Sequence, residues 1–247
     1  MQQAVVTSES KVKLLEEALQ EFTYQVSHDL SAPLREATNF ARLLEEKYGN
    51  TLDGKAQDYL AHVLAGSRRA QDMLEGLLVY SRLNTLAGEM AENVPVADIV
   101  ALAVKQLQES VTGSGAVIEA GALPSVHANA KQLAQLFCCL LSNAIKFAKA
   151  GCAPQIEVHG ESIGKGWRFC VSDRGIGIPA AEQAEIFKPL RQLHAARNYP
   201  GVGMGLAIAQ RIVARHGGRI WADAAPGGGT QIWFTLSKAA ALPQEAA

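Results

Sequence analysis

The chain has 247 residues, of which 48% are hydrophobic and 19% charged, so it is long enough for one large domain or two modest ones. Lys and Arg number 23 against 24 Asp and Glu, and this balance leaves no basic excess to hold a nucleic acid or an anionic membrane. The four cysteines lack the spacing of a zinc site or a disulfide framework, and neither a signal peptide nor a membrane-length apolar run is found. We therefore expect a cytoplasmic protein with reduced thiols that contacts neither nucleic acid nor membrane.

Apolar residues recur every three or four positions near the N-terminus, which is the pattern of a long amphipathic helix. This stripe, the N-terminal seam, consists of Val12, Leu15, Leu19, Phe22, Val26, Leu30, Pro33, Ala37, Phe40 and Leu44. It predicts a buried helical face, with residues 1–20 as a connector. His28 lies two positions from Val26 and from Leu30, so at about 100° per residue its ring points away from the seam into solvent. Its neighbour Asp29 is a carboxylate able to accept an imidazole proton.

Turn-forming residues at 49–54 separate this helix from a second one with the same spacing of apolar residues. The second stripe consists of Tyr59, Val63, Gly66, Ala70, Met73, Leu77 and Tyr80. Residues 21–88 therefore predict a helical hairpin. Two long amphipathic helices cannot bury both stripes within one chain, which favours a four-helix bundle formed by a homodimer.

The pattern changes after about residue 88 to alternating strands and helices. Strands are predicted at 116–120, 155–159, 167–171, 219–222 and 230–235, and helices at 97–109, 135–147 and 207–216. The expected fold class is α+β: the N-terminal hairpin is followed by an α/β sandwich at 89–238, and residues 239–247 form a frayed tail.

The first of three stretches that could hold a phosphorylated ligand is the helix at 135–147. Its spacing places Gln135, Cys139, Asn143 and Lys146 on one face. The amide oxygen of Asn143 is a hard ligand that suits Mg²⁺, and the ammonium of Lys146 suits a phosphate. A solvated helix face is the alternative explanation.

The second stretch follows an apolar strand and contains Asp173, Gly175 and Gly177. The glycines let the backbone approach a flat ligand, and the carboxylate could accept the exocyclic amine of adenine. A tight Asp/Gly turn is the alternative.

The third stretch, Gly201-Val202-Gly203-Met204-Gly205-Leu206, opens a helix and offers backbone amides to an anion. It matches neither a dinucleotide-binding fingerprint nor a P-loop. No Asp or Glu occurs from Ile186 to Ala222, whereas six basic residues do, so a polyanion is expected nearby. The segment from Phe187 to Pro200 is either a mobile lid or an ordinary surface loop.

The order of these features resembles that of sensor histidine kinases from about Glu21 to Leu236. The matches are the H-box at His28, the N-box at Asn143, glycine boxes at Asp173, Gly201 and Gly229-Thr230, and the F-box at Phe187. The residues around His28 look most like those of kinases attached to phytochrome sensors. The resemblance implies a dimeric hairpin followed by an ATP-binding domain of the GHKL (Bergerat) type.

The resemblance also implies an ATP-dependent protein-histidine kinase in which His28 is the phosphoacceptor and Asp29 assists proton removal. Asn143 would hold Mg²⁺, and the implied ATP contacts are Asn143, Lys146, Asp173, Gly175, Gly177, Phe187, Gly201, Gly203, Gly205, Leu206 and Thr230. The implied partners are a second copy, a response-regulator receiver domain and an upstream sensory module that this chain lacks.

Four positions depart from the family pattern: Cys139 replaces a frequent second asparagine of the N-box, and Ser31, Leu190 and Val202 replace other common residues. A soft thiol is a poor Mg²⁺ ligand. Cys139 therefore favours one alternative, a catalytically impaired scaffold that docks a kinase or regulator. A second alternative is an ATPase of the gyrase and chaperone type, against which the His28 hairpin argues.

Overall fold

The computed structural model describes residues 2–85, 92–164, 166–193, 199 and 201–237, and within this set not the side chains of 2–17, 19, 20, 84 and 85. The chain divides into two compact units, residues 1–87 and 88–247. The predicted tail at 239–247 and residues 194–198 and 200 of the predicted lid lie outside the described residues.

The first unit is the predicted helical hairpin, formed by α1 (Gln2–Tyr48) and α2 (Gly54–Thr85). A short 3-10 turn, Gly49–Thr51, joins the helices. The side chain of Asp53 accepts a hydrogen bond from the Ala56 amide at 2.8 Å, and Gln57 Nε2 donates to the Gly49 carbonyl at 2.7 Å. Helix α1 begins well before Val12, so the predicted connector and the first arm of the hairpin form one continuous helix.

The two helices pack through the face next to the N-terminal seam. The seam itself stays exposed in the single chain, which agrees with the expectation that one hairpin cannot bury both apolar stripes by itself. The buried residues of the hairpin are Ser27, Ala41, Leu64, Ser81 and Leu83. Seam residues Phe22 and Phe40 are 64% and 60% exposed, respectively. Each helix of a pair covers only one side of its neighbour, and here α1 contributes Ser27 and Ala41 to the contact, whereas α2 contributes Leu64, Ser81 and Leu83. The larger apolar side chains of the seam remain on the surface.

The second unit is built on a five-stranded sheet in the order β2-β4-β5-β7-β6, and a separate two-stranded sheet pairs β1 with β3. Strand β2 runs parallel to β4, and the other neighbouring pairs are antiparallel. The elements are β1 (Glu92–Pro95), α3 (Val96–Gln106), α4 (Gln108–Ser114), β2 (Val117–Ala120), β3 (Ser125–Ala128), α5 (Ala130–Lys146), β4 (Gln155–Ile163), β5 (Gly166–Asp173), α6 (Gly205–Arg215), β6 (Ile220–Ala224) and β7 (Thr230–Ser237). The predicted mixed sheet with helices is confirmed.

The core of this unit lies between the sheet and its helices. The rings of Phe137 on α5 and Phe169 on β5 both contact Phe234 on β7, with centroids 5.8 and 5.1 Å away, respectively. Alternation along the strands places Trp221 and Trp233 on the opposite face of the sheet, stacked at 6.4 Å with 11° between their planes. The guanidinium of Arg219 lies 4.6 Å from the ring centroid of Trp221, so a cation covers part of the indole pair.

Two details of the second unit differ from the sequence prediction. The helix expected at 97–109 is two helices, α3 and α4, which meet at Leu107. Strands β1 and β3 were not predicted, because each has only four residues and neither carries a run of β-branched side chains.

None of the described helices combines the length and apolar character that a membrane-crossing segment needs. All four cysteines are free thiols.

Ser27 provides a test of the packing between α1 and α2. Its hydroxyl is fully buried and has no hydrogen-bond partner among the described residues. Removing a buried hydroxyl that pairs with nothing recovers its desolvation cost, so Ser27→Ala should raise the free energy of unfolding by about 1 kcal/mol. Urea denaturation followed by far-UV circular dichroism measures the change. Ser31→Ala is the matched control, because the Ser31 hydroxyl already donates to the Ser27 carbonyl at 2.6 Å. A loss of stability in Ser27→Ala would contradict this account.

His216 makes the stability of the second unit depend on pH. Its Nδ1–H donates to the Ile212 carbonyl at 2.8 Å, and its Nε2 accepts from the Asn129 amide at 3.3 Å, so the imidazole is neutral. Burial lowers the pKa of His216 below its usual value. The unfolded chain therefore binds the proton more readily, and the stabilisation present above the unfolded pKa is lost as the pH falls through the folded pKa.

Between about pH 7.5 and about pH 5.5, we expect the wild type to lose more stability than His216→Gln in urea titrations. His127→Gln, at an exposed histidine on β3, should follow the wild type. An equal pH dependence in all three proteins would remove His216 as the cause.

Candidate functional site

The hairpin presents His28 and Asp29 to solvent, as predicted. The side chains are 71% and 80% exposed, and His28 Nδ1 lies 3.2 Å from Asp29 Oδ1. Tyr24, one turn earlier, stacks on the imidazole with centroids 6.3 Å apart, and Arg82 of α2 lies 5.5 Å from the Tyr24 centroid. When Nδ1–H points at a carboxylate, the lone pair of the neutral ring is on Nε2. The hairpin therefore carries an exposed nitrogen nucleophile.

The second unit contains a cavity of about 580 Å³, which lies within the range of small-molecule sites. Its wall combines the end of α5, the end of β5 and the start of α6. The lining residues include Asn143, Lys146, Phe147, Asp173, Gly177, Tyr199, Gly201, Gly203, Gly205, Leu206 and Thr230. Of the residues implied to contact ATP, only Gly175 and Phe187 are absent from this wall.

The carboxylate of Asp173 is fixed at the end of β5. Its Oδ1 accepts hydrogen bonds from the backbone amides of Gly175 at 2.8 Å and Thr230 at 3.2 Å. Burial raises the pKa of Asp173 above its usual value, and the two backbone hydrogen bonds oppose that rise. Because both amides bind one oxygen, the second oxygen of the carboxylate remains available to a ligand donor.

Gly175 does not line the cavity, but its lack of a side chain permits the backbone conformation that holds Asp173 in place. A Cβ at this position would collide with the carbonyl oxygen of Phe147, which also accepts a hydrogen bond from the Ile176 amide at 3.0 Å. Gly229 has a φ of 104°, and a Cβ there would collide with the Asp173 carbonyl. These glycines let the turn after β5 and the start of β7 close around Asp173.

Lys146 and Asn143 extend from the last turns of α5 into the cavity. The ammonium of Lys146 lies 4.4 Å from the Phe147 ring centroid and 3.0 Å from the position that a Cβ on Gly201 would occupy. Burial lowers the pKa of Lys146. Asn143 Nδ2 lies 4.0 Å from the Cβ position of Gly205, where α6 begins. A cation and an amide therefore face the glycine-rich start of a helix, which is a favourable place for a phosphate.

The donor set fits Mg²⁺ through Asn143. A carboxamide oxygen is a hard ligand, and Mg²⁺ usually takes few protein ligands, with water and substrate phosphates completing its shell. Within the described residues, no group of three or more His, Cys, Asp or Glu side chains is placed to hold a metal ion by itself. Any Mg²⁺ at this site therefore depends on the bound phosphates.

Cys139 lies outside the cavity wall. Its Cβ is 3.9 Å from the Cβ position of Gly205, and burial raises the pKa of its thiol to about 12. The thiol is therefore neutral, and the Cβ of Cys139 packs against the start of α6, so this side chain supplies no negative charge there.

Phe187 is only 5% exposed and belongs to the core, in contrast to its implied contact with ATP. It ends the 3-10 turn Glu185–Phe187, which packs against α6. An apolar ring in this position shapes the cavity from beneath without lining it.

Three residues that line the cavity, Tyr199, Gln192 and Phe147, were not identified as site residues from the sequence. Tyr199 packs on Phe147 with ring centroids 5.0 Å apart and 38° between the planes. Gln192 Nε2 donates to the Gly201 carbonyl at 2.8 Å and so connects the segment after Phe187 to the second glycine box. Phe147 lines the cavity from the C-terminal end of α5. Only its position directly after Lys146 could have indicated that it lines the site.

The backbone at 190–191 explains why Gly203 is a glycine. Leu190 has a φ of 60°, which is rare for a residue with a side chain, and the Arg191 carbonyl lies against Gly203. A Cβ on Gly203 would be 2.5 Å from that oxygen, and Gly203 has a φ of 74°. The glycine therefore permits a close approach between two backbone segments.

Comparisons with known families match both units. Residues 18–86 match the His Kinase A (phospho-acceptor) domain, and residues 128–240 match the histidine kinase-, DNA gyrase B-, and HSP90-like ATPase family. The chain is 36% identical over 218 residues to the phytochrome-like protein Cph1 of Synechocystis sp., covering 88% of this chain and 29% of that protein. It is 37% identical over 220 residues to cyanobacterial phytochrome A of Nostoc sp., covering 88% of this chain and 28% of that protein. The chain thus spans under a third of the length of these curated relatives.

Among solved structures, full-length ShkA in complex with AMPPNP matches with a TM-score of 0.66 and 26% identity. The match covers 90% of this chain and 47% of that one, so it includes parts of both units.

Proposed function

We propose that this chain, which belongs to the sensor histidine kinases, phosphorylates His28 from ATP. The phosphoryl group then passes to an aspartate of a response-regulator receiver domain. The chain carries the phosphoacceptor and ATPase domains of the family in that order. The observation that carries the proposal is the fixed carboxylate of Asp173 in a cavity that ends in glycines and a lysine. The AMPPNP bound in the ShkA structure supports a nucleoside triphosphate as the ligand class.

In the proposed binding mode, Asp173 selects adenine. Its free oxygen accepts the exocyclic amine, while the amides of Gly175 and Thr230 keep the carboxylate in place. Gly177 lines the same end of the cavity and leaves space for a flat base. At the other end, Lys146 and the amides at the start of α6 hold the phosphates.

In the proposed transfer, Nε2 of His28 attacks the γ-phosphorus of ATP, the bond to the bridging oxygen breaks, and ADP leaves. Asp29 accepts the Nδ1–H hydrogen bond, stabilises the positive charge that develops on the ring and takes up the Nδ1 proton once Nε2 carries the phosphoryl group. Asn143 would hold Mg²⁺, which neutralises charge on the phosphates during the reaction. The protein otherwise contributes positioning and fixed charge.

We also infer that the kinase is a homodimer through the N-terminal seam. Phe22, Leu30, Phe40 and Leu44 of α1 are half or more exposed in the single chain, and Tyr59 and Val63 of α2 are exposed as well. Apolar stripes on both helices of a hairpin are buried economically when a second hairpin completes a four-helix bundle. His28 lies off these stripes and would stay accessible in such a dimer.

His28→Gln should abolish phosphorylation while nucleotide binding is retained, because the cavity belongs to the other compact unit. The measurement is acid-labile label on the protein after incubation with γ-labelled ATP and Mg²⁺, with ADP affinity measured by calorimetry. His62→Gln is the matched control, since His62 is an exposed histidine of α2. Acid-labile label that persists in His28→Gln would assign the acceptor to another residue.

Asp173→Asn should weaken ATP and ADP binding by about 1–3 kcal/mol, because an amide presents a donor where the adenine amine needs an acceptor. Calorimetry with each nucleotide measures the loss. Asp98→Asn changes an exposed carboxylate of α3 in the same unit and should bind as the wild type does. Unchanged affinity in Asp173→Asn would exclude Asp173 from the nucleotide site.

A further inference from the structure

Lys146 differs from the other lysines whose side chains the structure describes, because its amine lies in a cavity wall. Lys188 forms an ion pair with Glu185 at 2.7 Å. Lys47, Lys55, Lys105, Lys131 and Lys149 are exposed. None of the described carboxylates lies within ion-pair distance of Lys146.

The surroundings of Lys146 hold its amine in one place. The Phe147 ring, itself packed on Tyr199, lies 4.4 Å from Nζ, and Gly201 approaches from the other segment of the wall. Burial lowers the pKa of Lys146, so more of its free amine is present near neutral pH than for an exposed lysine.

The amine also lies beside the expected phosphate site. Gly201, whose Cβ position lies 3.0 Å from Nζ, lines the cavity together with Gly203 and the first turn of α6. Backbone amides at the start of a helix of 11 residues favour an anion. This step rests on the proposed function, since it takes the glycine end of the cavity to be where phosphates bind. A small molecule that joins a phosphate to an activated carbonyl would place that carbonyl next to the amine.

We propose that Lys146 is an acylation site for small acyl phosphates, which the phosphate-binding end of the nucleotide cavity brings to its amine. The Nζ lone pair attacks the carbonyl carbon, the bond between that carbon and the phosphate oxygen breaks, and an amide forms. Inorganic phosphate leaves and takes up the proton that the amine releases. The amide is neutral, so the acylated protein loses a cation that ATP needs.

The test treats the full chain with acetyl phosphate and quantifies acetylated lysines by peptide mass spectrometry. Because a held reactant meets its nucleophile at high effective concentration, Lys146 should react about tenfold faster than Lys149. Lys149 lies three positions further along the chain and is exposed, so it is the matched control. Saturating ADP should suppress acetylation of Lys146 and leave that of Lys149 unchanged.

Acetic anhydride, an acyl donor without a phosphate, separates directed from intrinsic reactivity. With it, the preference for Lys146 over Lys149 should fall to the part that comes from the larger fraction of free amine on Lys146, and saturating ADP should no longer discriminate between donors held by a phosphate and donors free in solution. Equal rates at the two lysines with acetyl phosphate, or a Lys146 rate that ADP does not change, would overturn the proposal.

Calorimetry with ADP on the same samples distinguishes failure of the acylation proposal from failure of the proposed nucleotide site. A protein that binds ADP without directed acetylation refutes the acylation site alone, whereas a protein that does not bind ADP refutes the nucleotide cavity. The acetylated protein should bind ADP several-fold more weakly, in proportion to the modified fraction. Lys146→Arg should lose the directed reaction, whereas Lys149→Arg should retain both the directed reaction and ADP binding.

Discussion

The second unit is organised by one carboxylate oxygen that accepts two backbone amides. Oδ1 of Asp173 ties the turn after β5 to the first residue of β7, so two neighbouring strands and the loop between β5 and α6 converge at a single acceptor. The glycines at 175 and 229 are consequences of this convergence, because a Cβ at either position would strike a backbone carbonyl. The hydrogen bonds that shape the cavity therefore also orient the Asp173 carboxylate, which is the group proposed to bind the ligand.

The hairpin shows why periodicity predicted two helices but did not identify the face through which they pack on each other. Phe22 and Phe40 of the seam are followed in sequence by Thr23 and Ala41, which lie on the neighbouring face of α1. A spacing of three and four residues therefore fits both faces equally well. The pattern of apolar residues pointed to the face of α1 with the larger side chains, whereas α1 packs on α2 through Ser27 and Ala41. Small residues allow close approach of two helices within a chain, and this preference does not register in a pattern that counts only apolar side chains.

The candidate site was predictable where chemistry depends on residue type and less so where it depends on packing. Asn143, Asp173 and the glycines of the second box line one cavity, as their types and order indicated. Phe187 matched a motif yet belongs to the core, because a motif can record a structural need as readily as a contact. Tyr199 joins the wall through a ring contact with Phe147, a residue far from it in sequence. No local pattern encodes such a contact, and β3 was missed because pairing with β1 compensates for its weak propensity.

Tryptophan fluorescence comes from only one of the two units. All three, at 167, 221 and 233, lie in the second unit, and four of the five tyrosines lie in the hairpin. The parallel indoles of Trp221 and Trp233 are close enough for their excited states to couple, and Arg219 lies over one of them. Tryptophan emission therefore follows the opening of β6 and β7 and does not register the separation of α1 from α2. An unfolding curve recorded by tryptophan fluorescence would therefore describe the second unit, whereas one recorded by helical circular dichroism would also include α1 and α2.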